Sequence, residues 1–318
     1  MFQFELLYPE LQKFDGLPQA LQSEFSLPFS TFEIKGTNFS EFQRFPEFED
    51  NNIYHLPTKV ISKEGRWVDV DIALERRLFI LTLGENKDIA SAFLETTSLQ
   101  NSFSAIHAWL VGRISVAKLK NIDSTAHVLD LSDDIQHIRW QWIKRHRQAV
   151  NAGIFTWLLA PFFASAIQDP VLNQLTPYTS HDALFLSRYI EFPFSSTGLP
   201  LCAPLLDIST YHSYKRIIRD RKTNEAKELL RKIPPRFELE LDKNQHEYKL
   251  SDIHHQLIGK GDEITILGLI LESTCKMFEV ISNGNKIGVG NVELAKKLMR
   301  EAIPENTGRA IRHSNQET

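Results

Sequence analysis

Residues 67–83 constrain this chain most. VDVDIAL, from Val68 to Leu74, places apolar residues at alternate positions, and RLFILTL, from Arg77 to Leu83, gathers β-formers after the charged break Glu75-Arg76-Arg77. A period of two puts alternate side chains on opposite faces of a pleated strand, so the stretch predicts a hairpin or two connected strands. The period then changes. Leu99, Phe103, Ile106 and Leu110 recur at spacings of four and three, which places them on one helical face, with Gly112 as its stop. Strands followed directly by a helix predict an α+β protein, with strand-pair plus helix (ββα-like) units packed around a common core and one long central helix.

The long helix is expected after Ser132-Asp133-Asp134, which supplies an N-cap and favourable negative charge. Ile135, Ile138, Trp142 and Ala149 continue its apolar stripe, and Arg139, Lys144, Arg145 and Arg147 are expected on a solvated or anion-binding opposite face. Pro161 should kink or end it. The apolar run 152–167 follows Lys144-Arg145-His146-Arg147 like an anchor with a basic flank, but it is too short for a bilayer and is expected to be a core helix rather than a membrane span.

With 318 residues, 42% hydrophobic and 24% charged, the chain can bury a substantial core as one large or two intimate domains. Its formal charge of -4 argues against nucleic acid as a general partner. Cys202 and Cys275 are too few for a disulfide framework, and MFQFELLYPELQKF lacks a basic segment leading into an apolar core, so a cytoplasmic location is expected.

Near the N-terminus a short helix is expected over 17–25 and a strand near Phe32–Ile34, with EFQRFPEFEDNN as a loop. Asp169-Pro170 opens a helical turn, Ala183–Ser187 reads as a strand, and 192–200 is a turn-rich loop. EAKELLRKIPP (225–235) resembles ELAKKLMREAIPE (293–305), and Asn283-Gly284 marks a hairpin, which suggests repeated ββα-like units. The expected division is 1–249 as a core and 250–318 as a C-terminal strand-hairpin-helix module, with 306–318 a frayed tail.

Chemistry-bearing side chains concentrate in LTPYTSHDALFLSR, residues 175–188. A nucleophile reading uses Ser180 or Thr179 with His181 as base; a recognition reading uses Arg188, with Tyr178 and Ser187, to hold an anionic or peptide group. Against both stands a plain turn in which the hydroxyls satisfy backbone and His181 is a structural hydrogen-bonder. His107 and Trp109 read as helix packing. His246, His254 and His255 lack a completing ligand set, so no metal is expected. NGNKIGVGN lacks the Lys-Ser/Thr ending of a phosphate loop, no dinucleotide fingerprint occurs, and no cofactor is expected. The basic run 215–236 is a solvated face or a surface for a protein partner such as an acidic leader peptide.

The segment LTPYTSHDALFLSRYIEFPFSSTGLPLCAPL resembles a bacterial family associated with natural product biosynthesis, domain-of-unknown-function family 6193. The family's proline-aromatic-Thr-Ser-His run, following Ser and aromatic-Pro-aromatic turn are matched by Pro177-Tyr178-Thr179-Ser180-His181, Ser187 and Phe192-Pro193-Phe194. AIHAWL and AKELLRKIPP extend the resemblance over Tyr8 to Arg236, leaving the part beyond Leu250 unassigned. The resemblance implies an accessory or tailoring role near peptide-like natural products, without a defined chemistry. The alternative is a noncatalytic protein-binding or immunity protein.

Overall fold

The computed structural model describes residues 6–24, 32–36, 38, 55–73, 76–86, 89–122, 126–151, 158–233, 236–242 and 247–313. EFQRFPEFEDNN and His246 lie outside them. Mixed helices and three antiparallel sheets give the α+β class read from the sequence. The chain forms two compact units, one of residues 1–178, 186–195 and 306–318, the other of 179–185 and 196–305.

The first unit opens with helices α1 (Pro9–Gln12) and α2 (Leu17–Glu24). Strands β1 (Phe32–Gly36), β2 (His55–Ser62), β3 (Trp67–Ala73), β4 (Phe79–Asn86), β5 (Ile89–Thr96) and β6 (His127–Asp130) follow in simple antiparallel order. Helices α3 (Leu99–Leu110) and α4 (Val116–Leu119) come between β5 and β6. The expected hairpin is β3–β4, with Trp67 opposite Gly84 and Ile72 opposite Phe79. Val68, Val70 and Ile72 join Phe79, Leu81 and Leu83 in a buried cluster with Phe103, Ile106 and Trp109 of α3. Ser98 caps α3, its Oγ accepting from Asn101 N–H at 3.1 Å. Trp109 is core, as expected, its Nε1–H donating to Gly84 O at 3.2 Å, while His107 is exposed. A side chain at Gly84 would displace the Trp67 ring, because its Cβ would lie 2.1 Å from it.

The long helix, α5 (Asp134–Asn151), covers a second cluster of Trp67, Ile80, Phe93, Leu129 and Trp140. Its cap is Asp133 rather than Ser132: Asp133 Oδ1 accepts from Gln136 N–H at 2.9 Å, while Ser132 N–H and Oγ–H both donate to Asp130 Oδ1. Lys144 and Arg147 do not form the open basic face expected of them. Arg147 donates to Glu95 at 2.5 Å and lies over Phe93, and Lys144 lies over Trp140. The polar half of VDVDIAL meets these charges. Lys59 is 3.5 Å from Asp69, and burial pushes the Asp71 carboxyl up to about 6, opposed by the Arg147 charge and reinforced by Asp69. On another side of α5, Trp142 Nε1–H donates to Leu175 O at 2.8 Å and meets Phe163 edge-on. Phe163 lies on α6 (Ala160–Ala166), which has proline in its first turn, so Pro161 starts a helix rather than ending α5.

In the second unit, α7 (Ile208–Arg219) and α8 (Thr223–Leu230) precede β10–β12, numbered after β7 (Thr176–Ser180), β8 (Ala183–Ser187) and β9 (Leu201–Pro204). Strands β10 (Phe237–Asp242), β11 (Glu247–Asp252) and β12 (Leu257–Gly261) form a three-stranded sheet followed by α9 (Glu263–Cys275). Strands β13 (Phe278–Ser282) and β14 (Asn285–Gly290) then pair across Asn283-Gly284 and lead into α10 (Val292–Ala302). A repeat exists: its β13–β14–α10 copy is the one expected around Asn283-Gly284, and the other copy lies in a different segment from that expected. EAKELLRKIPP follows a helix, whereas β11–β12–α9 and β13–β14–α10 are successive ββα units. IGKGD in the first and IGVGN in the second occupy equivalent places. A Cβ on Gly259 would lie 2.5 Å from Leu269 Cδ1, and one on Gly288 2.5 Å from Leu298 Cδ1, so each glycine lets the helix close on its own hairpin. Asp262 and Asn291 cap the two helices. The boundary expected at 249/250 falls inside β11, a strand paired on both sides.

Candidate functional site

The hairpin β7–β8 explains the reactive-looking motif. Its loop is His181-Asp182, with φ of +47° and +67°; two left-handed residues in a two-residue loop match the right-handed twist of the flanking strands. Ser180 Oγ lies 2.9 Å from His181 Nδ1, in an exposed contact at the hairpin tip, and Thr179 sits half-buried on β7. The other three expected residues serve a different loop. Ser187 is buried, and its Oγ accepts from Tyr189 N–H at 2.9 Å and Ser195 N–H at 3.2 Å. Tyr178 stacks on Phe194 with centroids 5.0 Å apart. Arg188 carries a buried Nε with no hydrogen-bond partner among the described residues. His181 precedes β8 and Arg188 follows it. The strand's four steps put roughly 13 Å of extended chain between those ends, so the hairpin does not gather the imidazole and the guanidinium.

A cleft of about 620 Å³ lies elsewhere, within the first unit. It is lined by Glu85, Ile89, Ala90 and Ser91 on and between β4 and β5, by Ser115–Ala117 at the start of α4, by Asp130–Ser132 and His137 at the β6–α5 junction, and by Glu191 and Arg312. The junction is held in shape locally: Asp130 gathers Ser132, and Asp130 N–H donates to Gln136 Oε1 at 2.6 Å. Arg312 closes one wall. Its Nε–H donates to Asp134 Oδ1 at 2.7 Å, one Nη to Glu191 and the other to Leu131 O at 3.0 Å. These contacts correct the expectation of a frayed tail for 306–313; residues 314–318 lie outside the described residues. The ion-paired side chains are 36–48% exposed, so each pair contributes about 1 kcal/mol or less.

His137 is buried beneath this wall. A carbonyl only accepts, so the 3.1 Å contact to Leu131 O places the ring proton on Nδ1, and Nε2 is left to accept from the Gln141 amide at 3.3 Å. Burial holds the imidazole below its ordinary range, with the Leu131 carbonyl opposing and the Arg312 charge assisting. The ring is neutral at pH 7, and both nitrogens are occupied. Glu85 is paired with Arg66 at 2.8 Å. The lining therefore carries three carboxylates, of Glu85, Asp130 and Glu191, against one guanidinium that is already engaged.

Sequence reasoning passed over His137, Asp130, Glu191 and Arg312. They are spread along the chain, share no motif, and meet only because the C-terminal segment returns to α5. The basic run 215–236 is laced with carboxylates: Lys222–Glu225 at 3.0 Å, Arg231–Glu228 at 2.7 Å and Lys227–Glu263 at 3.3 Å. His254 is exposed, and His255 contacts Glu238. Among the described residues no cluster of three or more His, Cys, Asp or Glu is placed to hold a metal, and no helix is long and apolar enough to cross a membrane. Comparison of the chain with protein-family models, curated proteins and solved structures finds no match.

Proposed function

We propose that the protein binds a peptide-like ligand in the first unit's cleft, held by the ligand's ammonium, guanidinium or amide N–H groups. An excess of negative charge carries this reading: Glu85 is paired with Arg66 and Arg312 is shared between Asp134 and Glu191, which leaves the Asp130 carboxylate and one of the two carboxylates on Arg312 uncompensated. An anionic ligand would meet like charge, whereas a cationic one gains charge-assisted hydrogen bonds. Ser91, Ser115 and Ser132 add hydroxyls, and the volume falls within the roughly 300–1,000 Å³ of small-ligand sites. Binding is favoured over turnover because both His137 nitrogens are engaged and Ser132 Oγ–H donates to Asp130, leaving no activated nucleophile beside the ring. A place as an accessory of peptide-like natural product biosynthesis rests on the resemblance of residues 175–205.

Backbone NMR with arginine amide and, separately, N-acetylaspartate at matched ionic strength tests the reading. Arginine amide should perturb Ser91, Leu131 and His137 saturably, and Asp130→Asn with Glu191→Gln should weaken it. Perturbation by the anion alone, or by neither probe, rejects the proposal.

A further inference from the structure

The cleft wall supplied by Arg312 belongs to a segment that docks as a peptide would. Ala310 N–H donates to Gln174 O at 2.9 Å, Ile311 N–H to Arg188 O at 2.9 Å, and Ile190 N–H to Ile311 O at 3.0 Å, with Tyr189 and Ile311 forming a parallel bridge. Main-chain pairing of this kind accepts any sequence, so selectivity falls to side chains. Three positions supply it. Ala310 is buried, which admits only a small residue. Arg312 meets three acceptors around its planar fork, a set that the point charge of lysine cannot span. His313 stacks on Tyr189 with centroids 4.0 Å apart and reaches Pro193 O through Nε2 at 3.1 Å. Ile311 is 59% exposed and selects nothing.

We propose that this track is a peptide-recognition groove, masked reversibly by the chain's own residues 310–313, and that its outside occupant is a segment of the pattern small-any-Arg-His or small-any-Arg-aromatic. The inference rests on the cleft reading and gives its ligand a sequence. Reversibility follows from the construction. Between Pro304 and His313 Ala310 is the one buried residue, and a segment with so little buried apolar contact opens at low free energy. A ligand arginine would take the place of Arg312 between Asp134 and Glu191, and the displaced segment stays tethered through residue 305 as an intramolecular competitor.

The test uses the full chain and a fluorescein-labelled peptide, TGRAIRHSN, equivalent to residues 307–315. Weakening the internal competitor should tighten binding from outside, so Arg312→Ala is expected to bind the peptide about tenfold or more tighter than the unaltered chain. Ala310→Asp, which expels the segment by burying a charge, should act likewise, so the test survives if one variant fails to fold. Replacing the peptide's second arginine, the one equivalent to Arg312, by lysine should cost about tenfold on the Arg312→Ala chain. Equal affinity for unaltered and variant chains, or no binding by a variant whose circular dichroism is unaltered, overturns the proposal. Should the peptide fail in one of these ways while arginine amide perturbs the cleft of the unaltered chain, the masked groove is lost and the cleft reading stands; should arginine amide also leave the cleft unperturbed, both fall.

Discussion

Asp71→Asn is expected to stabilise the protein, and more so as pH rises. Asp71 lies on β3 under α5, where burial pushes its carboxyl up to about 6 from 3.8. The folded state therefore holds the proton more tightly than the unfolded chain, so the cost to folding builds up between pH 3.8 and about 6 and levels off above that. A difference of roughly two pH units corresponds to about 3 kcal/mol at pH 8, at about 1.4 kcal/mol per unit, and falls to about 1.5 kcal/mol at pH 5, where the folded carboxyl is mostly protonated. These are upper figures, because Asp71 keeps part of its surface in water. Asparagine removes the ionisation while preserving the shape, and Arg147 keeps its pairing with Glu95. Urea unfolding of both proteins at pH 5, 6.5 and 8 reads the gap directly. A variant less stable than the parent at pH 8, or a gap that does not grow with pH, would refute the burial of an ionised carboxylate beneath α5.

His137 titrates in the opposite sense. Its folded value lies below the unfolded one, so it costs stability as pH falls through about 6.5, and His137→Gln should flatten that acid limb in the same unfolding series. Gly259→Ala and Gly288→Ala should each destabilise the second unit by about 1–3 kcal/mol, since each Cβ meets a leucine methyl at 2.5 Å; thermal unfolding that leaves either unchanged would contradict the paired closures. Asp182→Gly should change stability by less than about 1 kcal/mol, the relief of a left-handed residue being offset by the freedom glycine adds to the unfolded chain, with cleft binding unaltered, and a loss of binding would return function to the hairpin tip. Cys275, with its thiol pushed up to about 12 mainly by burial, should react with a thiol reagent at pH 8 far more slowly than free cysteine.

What the sequence disclosed is what periodicity encodes. The alternation of VDVDIAL and the Leu99–Leu110 stripe gave β3–β4 and α3, and Ala183–Ser187 matched β8. The partner of the polar half-period was not legible: Asp69 and Asp71 look solvent-facing until α5 lays Lys144 and Arg147 over the same face. Turn chemistry could not be told from reactivity in the sequence because His181-Asp182 lacks the glycine or asparagine usual in such loops. The first copy of the ββα repeat was hidden because its strongest likeness to the second, IGKGD with IGVGN, is a steric requirement rather than a shared hydrophobic pattern. Arg312 was invisible for a simpler reason. A polar C-terminal run reads as a tail, and only long-range main-chain pairing to residues 174 and 188–190 makes it a wall.

A crystal structure of the full chain with arginine amide shows directly where a cationic ligand sits. The ligand should lie in the first unit's cleft with its cationic groups on Glu85, Asp130 or Glu191; a ligand bound at the β7–β8 tip, or excluded from the cleft at saturating concentration, would contradict cation recognition there.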